Sequence, residues 1–285
     1  MSPASTPPRL AFPRRRVTAL VLAGAIILSV GILSQPTAYA TSSTGVAGSL
    51  PAGSPTTLSA GRGSSPQASP PAGPPTPARA GGAKVGYPTV ARAAPRLTHV
   101  RRLFMVSPVS AWGTPTELLV LGSRIDAAGH PWLRVRLDYR PNGFAAWIDE
   151  EDTVLHEDPW RSAVSRADRD VKVYDADRLK RTFAAGVGKP STPTPAGLFA
   201  IAAELPQPSP GKNFEGAWVL PLTAHSEVLR HFEGGDGQVA LHGRGGASLA
   251  DPLGSARSHG CVRLANAAIG WIAGHVPVGT PVRIL

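Results

Sequence analysis

The sequence predicts a mostly β protein, two β-rich folded parts carried behind a disordered leader. Short runs that alternate apolar and polar residues, such as Trp132–Leu137 and Asp170–Asp175, predict half-buried strands. A single window, Leu264–His275, has helical spacing, with Leu264, Ile269 and Ile272 apolar. Gly and Pro together fill 61 of the 285 positions, about 21%, against roughly 12% in average proteins, so part of the chain is unsuited to a packed core. One helix among many strands points to β layers rather than a bundle or a coiled coil.

Residues 1–40 read as a signal peptide. Arg9 and Arg14–Arg16 form a positive start, Val17–Leu33 is an uncharged apolar run, and Ala38-Tyr39-Ala40 has the small-x-small cleavage pattern. Cleavage after Ala40 is favoured over retention as a membrane anchor, and the three arginines also admit twin-arginine export. No cysteine stands at the cleavage site, which excludes a lipoprotein anchor. The expected location is therefore the cell envelope or another extracytoplasmic space. Residues 41–95 are mostly Ser, Thr, Gly, Ala and Pro and read as a disordered spacer, with too little apolar surface to offset its ordering entropy.

The net charge of +10 belongs largely to this leader. Residues 1–95 hold eight Lys/Arg and no acid, which leaves 21 basic and 19 acidic residues beyond them. A folded part so close to neutral lacks the basic face that a nucleic-acid partner requires.

Residues 96–157 read as a small β domain. Leu118–Leu121, Trp132–Leu137 and Phe144–Ile148 are its strands, and Arg140-Pro141-Asn142-Gly143 is a turn in which Asn-Gly signals a hairpin. The stretch resembles bacterial SH3-type modules attached to cell-wall enzymes, which implies a small SH3-like barrel serving as scaffold or as wall binder. Residues 160–285 form a second domain. Its strands are Asp170–Asp175, Arg181–Gly188, Gly197–Ile201, Ala217–Leu220, Gln238–His242 and Pro281–Leu285, with the helix before the last of them.

Cys261 is the chain's one cysteine. An exported protein with one cysteine cannot pair it internally, so the thiol is inert, paired with another chain, or reactive. It lies in Ser258-His259-Gly260-Cys261-Val262-Arg263, between a glycine turn and the predicted helix start, where a helix N-terminus would favour thiolate. His242 ends a predicted strand 19 residues upstream, and the loop between them is long enough to fold back. A base beside a thiol generates the attacking species. A metal site on His242, His259 and Cys261 is the lesser alternative, since there is no second cysteine and no HxxxH spacing. His225, His231 and His275 are expected in loops or at the surface.

His242, fifteen residues, then Ser258-His259-Gly260-Cys261-Val262-Arg263 resembles the signature of the L,D-transpeptidase catalytic domain of the YkuD type. Gly186–Phe199, containing Thr192-Pro193-Thr194-Pro195, resembles a second family stretch. The resemblance covers about 125 residues to the C-terminus. It implies a β-rich catalytic domain that needs no cofactor or metal and that cross-links peptidoglycan stem peptides. In that chemistry Cys261 attacks the third-residue carbonyl of a tetrapeptide stem, D-Ala leaves, and an amine of a second stem resolves the acyl-enzyme into a 3→3 link. His242 would be the base, oriented by the Gly243 carbonyl. The backbone N–H groups of Gly260 and Cys261 would form an oxyanion hole. Gly260 would permit close approach, and His259 and Ser258 would line the site. Arg263 would pair with a substrate carboxylate. Ser258 as a simple turn cap and Arg263 as a solvated helix charge stand beside these roles.

Thr192 and Thr194 read as a rigid turn, and the 204–215 loop as a border of the cleft. Carbapenem-type β-lactams are the expected inhibitors, and the chain is expected to be a monomer. Two rivals remain: a carboxypeptidase-like hydrolase, and a non-catalytic wall-binding protein.

Overall fold

The computed structural model describes residues 72–232 and 234–285. The signal peptide read at 1–40 and the spacer as far as residue 71 lie outside the described residues. No helix among the described residues is long and apolar enough to cross a membrane.

The N-terminal module contains β1 (Ala80–Val85), β2 (Thr89–Arg92), β3 (Arg102–Val106), β4 (Glu117–Ile125), β5 (Pro131–Arg136), β6 (Ala145–Asp149) and β7 (Thr153–Asp158). They form one sheet in the order β3-β2-β6-β5-β4-β1-β7, with antiparallel pairing throughout. The alternation read in β5 turns Leu133 and Val135 into the core beside Val120 and Ile148. Trp132 takes the other face, and its Nε1 donates to Asp126 at 3.1 Å.

The boundary read between spacer and module at 95/96 is corrected. β1 and β2 both lie before it, and β1 sits between β4 and β7. The sequence hides β1 because its buried positions are small: Ala80 and Ala83 are nearly inaccessible, and the strand reads Ala-Gly-Gly-Ala-Lys-Val. Such a strand owes its place to pairing on both edges rather than to large side chains.

The hairpin between β5 and β6 is present, but its connection is longer than a two-residue turn. Leu137 donates to the Phe144 carbonyl at 3.1 Å, and of the Asn-Gly pair only Gly143 has positive φ, 83°. A two-residue Asn-Gly turn of the usual hairpin type needs positive φ at both residues. Asn142 is used for something else, described below.

The C-terminal domain contains β8 (Trp160–Ser165), β9 (Asp170–Asp175), β10 (Arg178–Ala184), β11 (Val187–Gly188), β12 (Gly197–Ala200), β13 (Leu205–Pro206), β14 (Trp218–His225), β15 (Gln238–His242), β16 (Ala256–Ser258), β17 (Val262–Arg263), helix α1 (Asn266–Ala273) and β18 (Pro281–Ile284). Five strands run in the order β10-β9-β8-β18-β12, four in the order β13-β14-β15-β17, and β11 pairs with β16. Phe199, Ile201, Leu220, Leu222, Leu241, Leu264, Ile269 and Ile272 are among the residues of one shared core. β10 is an edge strand whose Arg178, Lys180 and Arg181 are exposed, a common way of blocking edge-to-edge association.

Two sequence expectations shift here. The Arg181–Gly188 strand is broken, because Gly186 exchanges both backbone hydrogen bonds with Arg263 at 2.8 Å. The helix begins at Asn266 rather than Leu264, because the Leu264 amide donates to the His242 carbonyl at 2.8 Å and so extends the sheet.

Candidate active site

β14, β15 and β17 set the site by register. Val219 lies opposite His242 and Leu220 opposite Leu241. On the other side, β15 runs parallel to β17, with Leu241 opposite Val262 and His242 opposite Arg263. Registered residues share a face, and faces alternate along a strand. Leu220, Leu241 and Val262 therefore point together into the core, each 0% exposed. Gln238, Ala240 and His242 take the opposite face. Cys261 immediately precedes β17, the strand that pairs with the His242 end of β15. Cys261 is half-buried.

His242 is buried, 3% exposed, and its Nδ1 has no hydrogen-bond partner. Burial pushes the imidazole down to about 4, with the nearby Arg263 charge acting in the same direction. The backbone at Gly243 and at Glu215 opposes this by favouring the protonated ring. The imidazole is thus neutral at pH 7, ready to accept a proton. The Phe214 ring lies 6.3 Å from it, so the 204–215 loop does reach the site.

The turn carrying Cys261 is held from several sides. The Ser258 hydroxyl donates to the Cys261 carbonyl at 2.6 Å and accepts from the Gly260 amide at 3.1 Å. Thr194 Oγ1 donates to the Gly260 carbonyl at 2.8 Å and accepts from the Gly188 amide at 2.9 Å. Thr192 Oγ1 donates to the Ser258 carbonyl at 3.2 Å. The Thr-Pro-Thr-Pro segment is therefore scaffold for this turn in particular.

Several sequence readings are corrected by this geometry. Cys261 is not at a helix N-terminus, since α1 starts five residues later, so no helix dipole acts directly on the sulfur. The Gly260 amide is already committed to Ser258, which removes it from the proposed oxyanion pair. Gly260 is needed for its φ of +129°; a Cβ there would meet nothing closer than 3.8 Å. Ser258 is a buried turn cap rather than a cleft residue. His259 is exposed, its ring 5.1 Å from that of Phe232.

Arg263 is not a solvated helix charge. It lies in β17 and is 4% exposed, its guanidinium is paired with Asp251, and it lies over the Phe214 ring at 4.8 Å. That occupation replaces the substrate-carboxylate role read from the sequence.

Gly243 does need to be glycine for space, since a Cβ would come within 2.1 Å of Asn266 Oδ1 and 3.0 Å of the Glu215 carbonyl. Sequence reasoning missed Asn266. Its Oδ1 accepts from Ala217 at 3.1 Å and from Arg244 at 3.0 Å, and its Nδ2 donates to the Arg244 carbonyl at 2.9 Å. One amide thereby joins the chain on both sides of His242 to the start of α1. An asparagine at a helix start reads as a local cap, so no local signal reveals bonds to residues 22 and 49 positions away.

Comparison with known proteins gives the family of this chain. The L,D-transpeptidase catalytic domain, YkuD, matches residues 159–284. A Bacillus licheniformis protein carrying the name L,D-transpeptidase YkuD is 37% identical over 137 residues, 48% of this chain and 70% of that protein. The chain belongs to the YkuD family of L,D-transpeptidases. Among solved structures, an L,D-transpeptidase from Mycobacterium tuberculosis H37Rv is 13% identical with a TM-score of 0.38, covering 60% of this chain and 90% of that one. An L,D-transpeptidase from Mycobacterium smegmatis is 16% identical with a TM-score of 0.35, covering 54% and 90%. The family is one of enzymes, and the YkuD match contains His242, Cys261 and the Thr192–Thr194 turn that braces it.

Proposed function

We propose that this protein is a peptidoglycan L,D-transpeptidase that forms 3→3 links through an acyl-enzyme on Cys261. The observation that supports the reading is the β15–β17 register, which brings the residue following Cys261 beside the strand that ends in a buried, neutral His242. In the reaction His242 takes the Cys261 thiol proton as the sulfur attacks the third-residue carbonyl of a tetrapeptide stem. The tetrahedral intermediate collapses, the C–N bond to D-Ala breaks, and the imidazolium returns its proton to the leaving amine. An acceptor amine then attacks the thioester carbonyl and gives up a proton to His242. The C–S bond breaks, and the thiolate takes the proton back.

An extracytoplasmic location belongs to the same proposal, on the strength of the signal-type segment at 1–40. So does wall binding by the N-terminal module, the role an SH3-type module would serve. β-lactams belong to it because a thiolate that opens a peptide carbonyl also opens a strained lactam, leaving a stable acyl group on the sulfur.

Purified residues 41–285 are expected to gain the mass of one carbapenem per chain, and Cys261→Ala none, read by intact-protein mass spectrometry. Acylation of the alanine variant would overturn the assignment. Product analysis on stem tetrapeptides separates transfer, which yields joined dimers, from hydrolysis, which yields tripeptide alone.

A further inference from the structure

The connection between β14 and β15 carries Phe232, whose ring lies 5.1 Å from that of the exposed His259, two residues before Cys261. Much of its anchoring comes from the other module. Arg140, on the β5–β6 hairpin, donates to the carbonyls of Ser226 at 2.7 Å, Leu229 at 3.3 Å and Asp236 at 2.6 Å. Its neighbour Asn142 donates to the His225 carbonyl at 2.7 Å and accepts from the His225 amide at 2.8 Å. One guanidinium thus gathers three carbonyls from the two limbs of the connection, a task for which its planar fork of donors is suited. Gly237 fits the seat: with φ of +78°, a Cβ there would collide with the Leu229 carbonyl and come within 3.1 Å of Arg140.

We propose that Arg140, supported by Asn142, is a positioning residue for the active site. It fixes the 226–237 connection from the N-terminal module and so holds Phe232 as a wall of the cleft beside Cys261. The N-terminal module is then part of how the site is built, whether or not it also binds the wall. The consequence for turnover rests on the transpeptidase reading; the anchoring of the connection does not.

The test compares full-length wild type with Arg140→Ala and Arg140→Lys. Hydrogen exchange of peptides covering 226–237 is expected to quicken in Arg140→Ala, while peptides covering β15 keep their wild-type rates. Cys261 labelling by a bulky maleimide, relative to labelling by iodoacetamide, is expected to change by at least roughly threefold as the wall loosens, with the iodoacetamide rate itself unchanged. In the stem-peptide assay KM is expected to rise roughly tenfold, about what one lost charge-assisted contact is worth, with kcat little altered. Arg140→Lys restores these readouts only in part, because one ammonium cannot match the fork.

Unchanged exchange and an unchanged labelling ratio in Arg140→Ala overturn the proposal. So does a parallel fall in iodoacetamide labelling and in Tm, which would mark a general loss of folding. If the wild type shows no turnover, the transpeptidase reading has failed, and exchange and the labelling ratio still decide the positioning role.

Discussion

Burial holds the His242 imidazole neutral at every pH above about 4, with the Arg263 charge reinforcing the effect. An ordinary imidazole would protonate through pH 6.5 and lose its capacity as a base. Here the folded-state value lies below the unfolded one, so the neutral form persists into acid. Carbapenem acylation of Cys261 is therefore expected to keep its second-order rate from pH 7 down to pH 5 and to fall only as pH approaches about 4. A decline centred near pH 6.5 would show that the ring is solvated. His242→Ala is expected to slow acylation by roughly 10²–10⁴-fold, the range for loss of a general base. His242 and Cys261 stand out in the sequence as a lone thiol and an upstream strand-end histidine, and the structure places His242 at the end of β15 as expected. The role of Arg263 was not legible there, because its partner Asp251 lies in the excursion between β15 and β16, where spacing carries no pairing information.

The smallest elements do most to shape the site. β11, β16 and β17 are only two or three residues long, and side-chain hydrogen bonds support the turn between the last two. Thr194→Val keeps the volume but removes a donor to the Gly260 carbonyl and an acceptor for the Gly188 amide. Leaving such groups unpaired costs about 1–3 kcal/mol each. A lowered Tm and slower acylation are expected in this variant, with both recovered in Thr194→Ser; a valine variant with wild-type values would show that the brace is dispensable. The sequence marked this stretch as rigid through its prolines, yet the target of the threonines became visible only with the fold. The helix was placed correctly by its apolar spacing but begins late, since the backbone of Leu264 is claimed by the sheet.

The two modules meet through side chains: Arg140 and Asn142 on backbone groups of the β14–β15 connection, Gln238 on Asp138 and Thr280 on Asp158. The β module extends further toward the N-terminus than its sequence suggests, because β1 is small, glycine-containing and paired on both edges. A chain starting at residue 96 lacks β1 and β2 and leaves the facing edges of β4 and β7 open. It is expected to aggregate or to unfold at a lower temperature than one starting at residue 72. Equal Tm and solubility for the two would show that β1 is ornamental. Pattern located the longer strands such as β4, β5, β9 and β15, since period-two alternation survives wherever one face is wet, but not β2, β3, β7, β8, β13, β16 or β17. It missed β1, whose buried positions carry little hydrophobic weight, and the bonds from Arg140, which reach residues more than 80 positions away.

The β15–β17 pairing also sets where the polypeptide can grow. Extra residues spliced into the exposed Leu249–Ala250 stretch would lengthen the excursion while each partner strand kept its alignment. One residue inserted between Val262 and Arg263 would instead slip the short pairing with Leu241 and His242 and turn a buried apolar side chain to the wrong face.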